Sequence, residues 1–155
     1  MKAQLVAVGT QMPRWITEGW QTYTKRLPPH FAFTCQEIPL HKRTKGADIQ
    51  RFMSQEGEAM AKAIASHHRI IALAIDGSPW DTPTLAQRIT QWQQQYRGVS
   101  FLVGGPEGLA SDCIKIAHEQ WSLSPLTLPH PLVRIVLAEQ WYRAWSIIAH
   151  HPYHR

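Results

Sequence analysis

Two short segments constrain this chain more than anything else in it. Arg69 to Ile75 and Val99 to Val103 are apolar at consecutive positions, not alternate ones. Strands of that kind have both faces covered, so they belong in the middle of a parallel sheet with helices above and below. The flanking sequence agrees. Residues 3–8 predict a first strand and Phe31 to Ile38 a second. Helical periodicity runs from Pro13 to about Arg26, with Ile16, Trp20 and Tyr23 on one face and Pro28-Pro29 as the stop. It returns from Ala47 to about Ser66, with Ile49, Phe52, Met53, Met60 and Ile64 near one stripe.

Asp76-Gly77-Ser78-Pro79 is expected to break the third strand. Thr82 then reads as an N-cap with Pro83 at the first helical position, opening a helix to about Tyr96 that buries Leu85, Ile89 and Trp92. Past the Val99–Val103 strand come a short helix (about Ser111 to Glu119), a strand (Trp121 to Leu128) and a last helix (about Leu132 to Ala149). No repeat, linker or low-complexity tract interrupts the alternation. The expected fold is a single α/β domain over residues 1–155, with a mostly parallel sheet flanked by helices.

Composition narrows the class. The hydrophobic fraction of 44% and charged fraction of 17% are globular values. No apolar run reaches the ~18 residues of a membrane span. The apolar start, Met1 to Gly9, lacks a small-residue cleavage site and reads as a strand and a glycine turn, not a signal peptide. A net charge of +5 and nine histidines suit a polyanionic partner, RNA above all, but the excess is moderate and fits a merely basic soluble protein as well. Cys35 and Cys113 are too few for a disulfide framework or a four-cysteine zinc site, and are expected as buried thiols in a reducing cytoplasm.

In open α/β sheets ligands bind beyond the carboxyl ends of the strands. The stretch Gly104-Gly105-Pro106-Glu107-Gly108 lies at such an end. It is either a turn over which a ligand can approach bare backbone or a purely structural one. It has neither the G-x-G-x-x-G nor the P-loop spacing, so a phosphate-cradling nucleotidase is not supported. Ser122 to Pro131 alternates small polar and apolar residues, which would wrap an amphipathic ligand such as adenosine, or form an ordinary edge strand and turn. The last helix is apolar over a wide arc. That fits burial by its own sheet plus a partner subunit, or a broad core-facing helix. The tail holds His150, His151, Tyr153, His154 and Arg155, a candidate metal site, pH-sensitive cluster, RNA arm or frayed end. Pro152 breaks the helix that an i, i+4 histidine pair would need, and no acidic or cysteine ligand is near. No metal is expected.

Taken together, Val6-Ala7-Val8-Gly9, Leu102 to Gly108, Ser122-Leu123-Ser124, Leu126 to His130, Arg134, Glu139-Gln140, Tyr142-Arg143-Ala144 and Pro152-Tyr153-His154 resemble the RlmH family of the SPOUT class. The likeness spans essentially the whole chain. It implies a deep trefoil knot in the C-terminal half, a feature no pattern would suggest, and a homodimer. It also implies S-adenosylmethionine in the knot, with contacts at Leu73, Gly104, Gly105 and the stretch Leu123, Ser124, Pro125, Leu126, Thr127 and Leu128. The implied substrate is a pseudouridine in a stem-loop of large-subunit ribosomal RNA, methylated at N3 on assembled ribosomes. On this reading His130, Arg134, Arg143, Tyr153 and His154 surround the target base, in a dimer with the tail completing the partner's site. Glu107 and Glu139 are possible bases, although Glu139 is expected to pair with an arginine. Lys42, Arg43, Lys45 and Arg155 are expected to grip RNA, the alternative for the loop cations being a solvated surface. The competing readings are a non-enzymatic ribosome-binding protein, a SPOUT enzyme acting on tRNA, and a metal-dependent hydrolase built on the tail histidines.

Overall fold

A computed structural model describes all 155 residues. Five strands, Lys2–Val8 (β1), Phe33–Ile38 (β2), His68–Pro79 (β3), Gly98–Val103 (β4) and Glu119–Ser122 (β5), alternate with five helices, Arg14–Thr24 (α1), Ile49–Ala63 (α2), Thr82–Trp92 (α3), Ser111–Ile116 (α4) and His130–Ile148 (α5). The strands form one sheet in the order β2-β1-β4-β3-β5, and every pairing is parallel.

β4, read as a two-sided apolar strand, is buried at every position. Its period of two divides the core between the faces. Val99, Phe101 and Val103 meet Ala3, Leu5 and Ala7 of β1, with Leu85, Ile89 and Trp92 of α3 and Leu137 and Trp141 of α5. Leu102 turns the other way to join Val6, Val8 and Ile38, covered by Met60 of α2 and Cys113 of α4. Trp141 is fully buried, its ring 4.9 Å from Phe31 and 5.6 Å from Phe33. Its indole N–H donates to the Phe31 carbonyl at 3.0 Å, so the one polar atom of the largest core side chain is satisfied.

The structure departs from the sequence reading in several places. Asp76 to Pro79 does not end β3. The ladder with β5 slips between Leu73 and Ser78 and then resumes at Ser78 and Pro79, so residues 74–77 form a bulge inside a longer strand. Gly77 makes this possible, because a Cβ there would lie 2.8 Å from the β5 backbone. α4 stops at Ile116, earlier than expected, since His118 already donates its N–H to Ile70 O at 2.8 Å and starts the β5 ladder. That ladder ends at Ser122, which leaves 123–129 as a loop. The N-cap of α3 is Asp81, whose carboxylate accepts from Thr84 N at 2.8 Å, while Thr82 instead donates its hydroxyl to Gln140 of α5 at 2.6 Å. In α2, Ile49 is exposed and Glu56 and Gly57 are buried. α5 packs against α1 on one flank and α3 on the other, with Leu132, Val133, Ile135 and Val136 left half-buried within one chain.

Candidate cofactor cleft and the groups around it

The carboxyl ends of β3, β4 and β5 open onto a cleft of about 650 Å³, mouth included. Leu73, Gly104, Gly105, Leu123, Ser124, Leu126, Thr127 and Leu128 line it, together with Ala74 and Ile75 of the β3 bulge, Trp121 and His130. Pro125 is exposed and is not part of the wall. The glycine turn folds back on itself through a bridge between Gly105 and Gly108. A Cβ on Gly104 would lie 2.2 Å from the Gly108 carbonyl carbon, so the turn requires glycine there and also leaves bare backbone at the cleft. The opposite loop is shaped by its own serines. Ser122 Oγ donates to Ser124 O at 3.1 Å, and Ser124 Oγ accepts from Leu126 N at 2.9 Å. Leu126 is 72% exposed, an apolar side chain held out at the rim.

His130 opens α5 against the cleft, and Arg134 follows one turn later. Arg134 is buried, yet its charge is met: Nη1 donates to Glu37 Oε2 of β2 at 2.7 Å and Nη2 to Gly9 O at 2.9 Å. Nη2 also lies 3.4 Å from His130 Nε2. Burial, helped by the Arg134 charge, holds the His130 imidazole below its ordinary pKa. Burial likewise pushes the nearby Cys35 thiol up.

The other expected catalytic groups gather elsewhere. Arg143 Nε donates to Glu139 Oε1 at 2.7 Å, and Tyr153 OH donates to the same oxygen at 3.1 Å. The Arg143 guanidinium lies 4.9 Å from the Tyr153 ring centroid. Hydrogen bonding to Glu139 raises the Arg143 pKa, and burial followed by the Glu139 charge raises that of Tyr153. His154 Nδ1 sits 3.2 Å from Ser146 Oγ. The tail therefore docks as a 3-10 turn, Pro152–His154, on the end of α5. Arg155 is exposed beyond it. Arg143 follows His130 by ~20 Å of helix at ~1.5 Å per residue. One chain thus makes two groups, His130 with Arg134 and Arg143 with Tyr153 and His154, and does not bring all of them around one base.

The basic loop also divides. Lys42 and Lys45 are exposed. Arg43 is turned inward, with Nη1 on Glu56 Oε1 (2.8 Å) and His41 O (2.8 Å), Nη2 on Glu56 Oε2 (3.0 Å) and Glu107 Oε2 (2.9 Å), and Nε on Glu107 Oε1 (2.9 Å). These bonds raise its pKa further. Burial opposes ionisation of Glu56, but the bonds from Arg43 and from His41 N outweigh it and hold that carboxyl low. The Arg43 bonds do the same for Glu107. Sequence reasoning missed Glu56 and Glu37. The available signal for Glu56 was an acid on the apolar stripe of α2; Glu37 carried none. No three His, Cys, Asp or Glu side chains converge as a metal site, and no helix is long and apolar enough to cross a membrane.

Comparison with known proteins accords with this geometry. Residues 1–154 match the family model described as "Predicted SPOUT methyltransferase". The chain is 52% identical, over the full length of both, to the "Ribosomal RNA large subunit methyltransferase H" of Pseudomonas fluorescens. A solved structure of a probable methylase family protein from Haemophilus influenzae superposes with a TM-score of 0.57 at 11% identity, covering 96% of this chain and 68% of the other. That likeness concerns the fold alone. With its full length accounted for by one family model and one close relative, this chain belongs to the SPOUT methyltransferase family.

Proposed function

We propose that this protein transfers a methyl group from S-adenosylmethionine to N3 of a pseudouridine in a stem-loop of large-subunit ribosomal RNA, acting as a cytoplasmic homodimer on assembled ribosomes. The observation that carries the reading is the cleft at the ends of β3, β4 and β5, with His130 in its wall and Arg134 buried behind it, in a chain matched end to end by a ribosomal RNA large subunit methyltransferase.

The wall fits the cofactor. Leu123, Leu126 and Leu128 offer apolar cover for a planar base, and the Gly104–Gly105 backbone and the 123–128 loop offer amides and carbonyls for its polar edge. The trefoil knot implied by the resemblance would run through these same loops. When bound, S-adenosylmethionine supplies an electrophilic methyl group on a sulfonium, so the protein's work is positioning and charge management. N3 must first lose its proton, which leaves to solvent; the negative charge this puts on N3 and the flanking carbonyl oxygens is neutralised as N3 takes the methyl group. On this reading His130, in the cleft wall, stabilises that charge, with Arg134 behind it. On the same reading Arg143, Tyr153 and His154, distant from His130 within a chain, complete the site of a partner subunit. Lys42, Lys45 and Arg155 supply exposed positive charge for RNA phosphates.

The test is methyl transfer from labelled S-adenosylmethionine to ribosomes, separated subunits, tRNA and free ribosomal RNA, with the product nucleoside identified by mass spectrometry. N3-methylpseudouridine in large-subunit RNA, formed on ribosomes, is the expected product. Label on tRNA would move the substrate within the same family, and no label anywhere would favour a non-enzymatic ribosome-binding role.

A further inference from the structure

Methyl transfer accounts for a cleft and for positive charge near it. It does not account for Glu37, an acid on β2 that lines no part of the cofactor cleft yet is joined to it by an unbroken series of contacts. Glu37 Oε2 accepts from Arg134 Nη1 at 2.7 Å, and Arg134 Nη2 lies 3.4 Å from His130 Nε2. His130 in turn lines the cleft.

A guanidinium only donates, and it stays charged at any relevant pH. The His130 nitrogen facing it must therefore present a lone pair. A neutral ring whose one proton sits on Nδ1 meets that condition. Two further contacts fix this arrangement. Gly9 O accepts from Arg134 Nη2 at 2.9 Å, so the arginine is held at both of its terminal nitrogens. Gly9 itself adopts φ +120°, and a Cβ there would come within 2.7 Å of His130 Cε1 and 3.2 Å of Nε2. The Nε2 edge of the ring thus lies flat on glycine backbone, while Nδ1 makes no hydrogen bond within the chain. Two titratable groups on neighbouring elements are directed elsewhere. From β2 there is Cys35, whose Sγ lies 3.9 Å from Arg134 Nη1. On the glycine turn, the carboxylate of Glu107 is engaged by Arg43.

We propose that Glu37 is a positioning residue: through Arg134 it holds His130 as the neutral Nδ1–H tautomer, so that His130 donates a hydrogen bond to a carbonyl oxygen beside the reacting nitrogen and does not accept that nitrogen's proton. The identity of the acceptor rests on the proposed activity, whereas the tautomer does not.

The experiment is long-range 15N–1H NMR of protein labelled at histidine, near pH 7, with His130 assigned by loss of its signals in His130→Asn. It is paired with calorimetric cofactor binding and single-turnover methyl transfer to ribosomes. In the unmodified protein His130 shows a protonated Nδ1 and an unprotonated Nε2. Glu37→Gln frees Arg134 and admits the Nε2–H form. Its cofactor affinity stays within about 2-fold, and transfer slows on the order of 10-fold, less than the ~10²–10³ of losing a donor outright. Glu37→Asp restores part of both the tautomer and the rate. An Nε2–H ring or an imidazolium in the unmodified protein would overturn the proposal. So would a tautomer indifferent to Glu37→Gln, or a shifted tautomer with transfer unchanged. If the tautomer responds to Glu37 while ribosomes take no label, the positioning stands and the proposed substrate falls.

Discussion

Arg43 illustrates how far a side chain's role can lie from its local sequence. In His41-Lys42-Arg43-Thr44-Lys45 it is one cation among three, and nothing nearby distinguishes it. Its partners come from 13 and 64 residues away, and only the fold brings them together. Its side chain is 16% exposed and that of Glu56 4%, so solvent screens this pair little. Arg43→Ala would leave Glu56 as an unpaired buried charge, at a cost of about 3 kcal/mol. At ~2–4 °C per kcal/mol for a chain of this size, the thermal midpoint would fall by roughly 6–12 °C. Replacing Lys42 and Lys45 by alanine should change stability by no more than about 0.5 kcal/mol. It should instead flatten the dependence of ribosome binding on log salt by about 1.5, at ~0.7–0.9 per phosphate contact. Scanning calorimetry and binding titrations across a salt series separate the two outcomes. An Arg43 variant that is stable but binds ribosomes with a flatter slope would return Arg43 to the RNA-gripping set.

At the level of elements, the central strands were legible because burial on both faces leaves a continuous apolar run, as in β4. What was not legible was how strands end. Asp76 to Pro79 carries the composition of a turn, yet β3 continues because Gly77 lets its backbone approach β5. The 123–128 loop alternates like a strand, yet it pairs with nothing, because Ser122 and Ser124 bond within the loop. The amino end of α5 and β3 also set a pH response. Burial lowers the pKa of both His130 and His68 from the usual 6.5. The unfolded chain therefore binds more protons just below that value than the folded one does. The stability contributed by these neutral rings is fully present above pH 6.5 and is lost as pH falls through their folded-state values. The thermal midpoint should drop as buffer pH is lowered from about 7 toward 5, and His130→Asn should shallow the drop. A flat profile over that window in the unmodified protein would count against buried neutral imidazoles. The carboxyls of Glu56 and Glu107, held low by Arg43, act further down, losing their contribution only as pH falls below about 4.5.

For the whole molecule, residue types were easier to foresee than their grouping. Leu73, the glycine turn and most of the 123–128 stretch line one cleft, whereas the five residues expected around the target base fall into two groups, one at the start of α5 and one where the tail docks near its end. A dimer in which each tail serves the other subunit reconciles those groups, and mixing tests it. Subunits carrying His130→Asn and subunits lacking residues 152–155 should each be inactive alone and should regain transfer when co-refolded. Failure of the mixture, with both variants dimeric by sedimentation, would place the tail in its own subunit's site. The order of the sheet has another consequence, for biosynthesis. β1 lies between β2 and β4, and Lys2 is paired with Gly98. At ~5–20 residues per second, the first strand to leave the ribosome waits about 5–20 s for its second neighbour. Throughout that interval an apolar strand presents an open row of amides and carbonyls. The nascent chain, more than the finished enzyme, is therefore the form most exposed to misassociation, and the one for which chaperone supply would set the yield of folded protein.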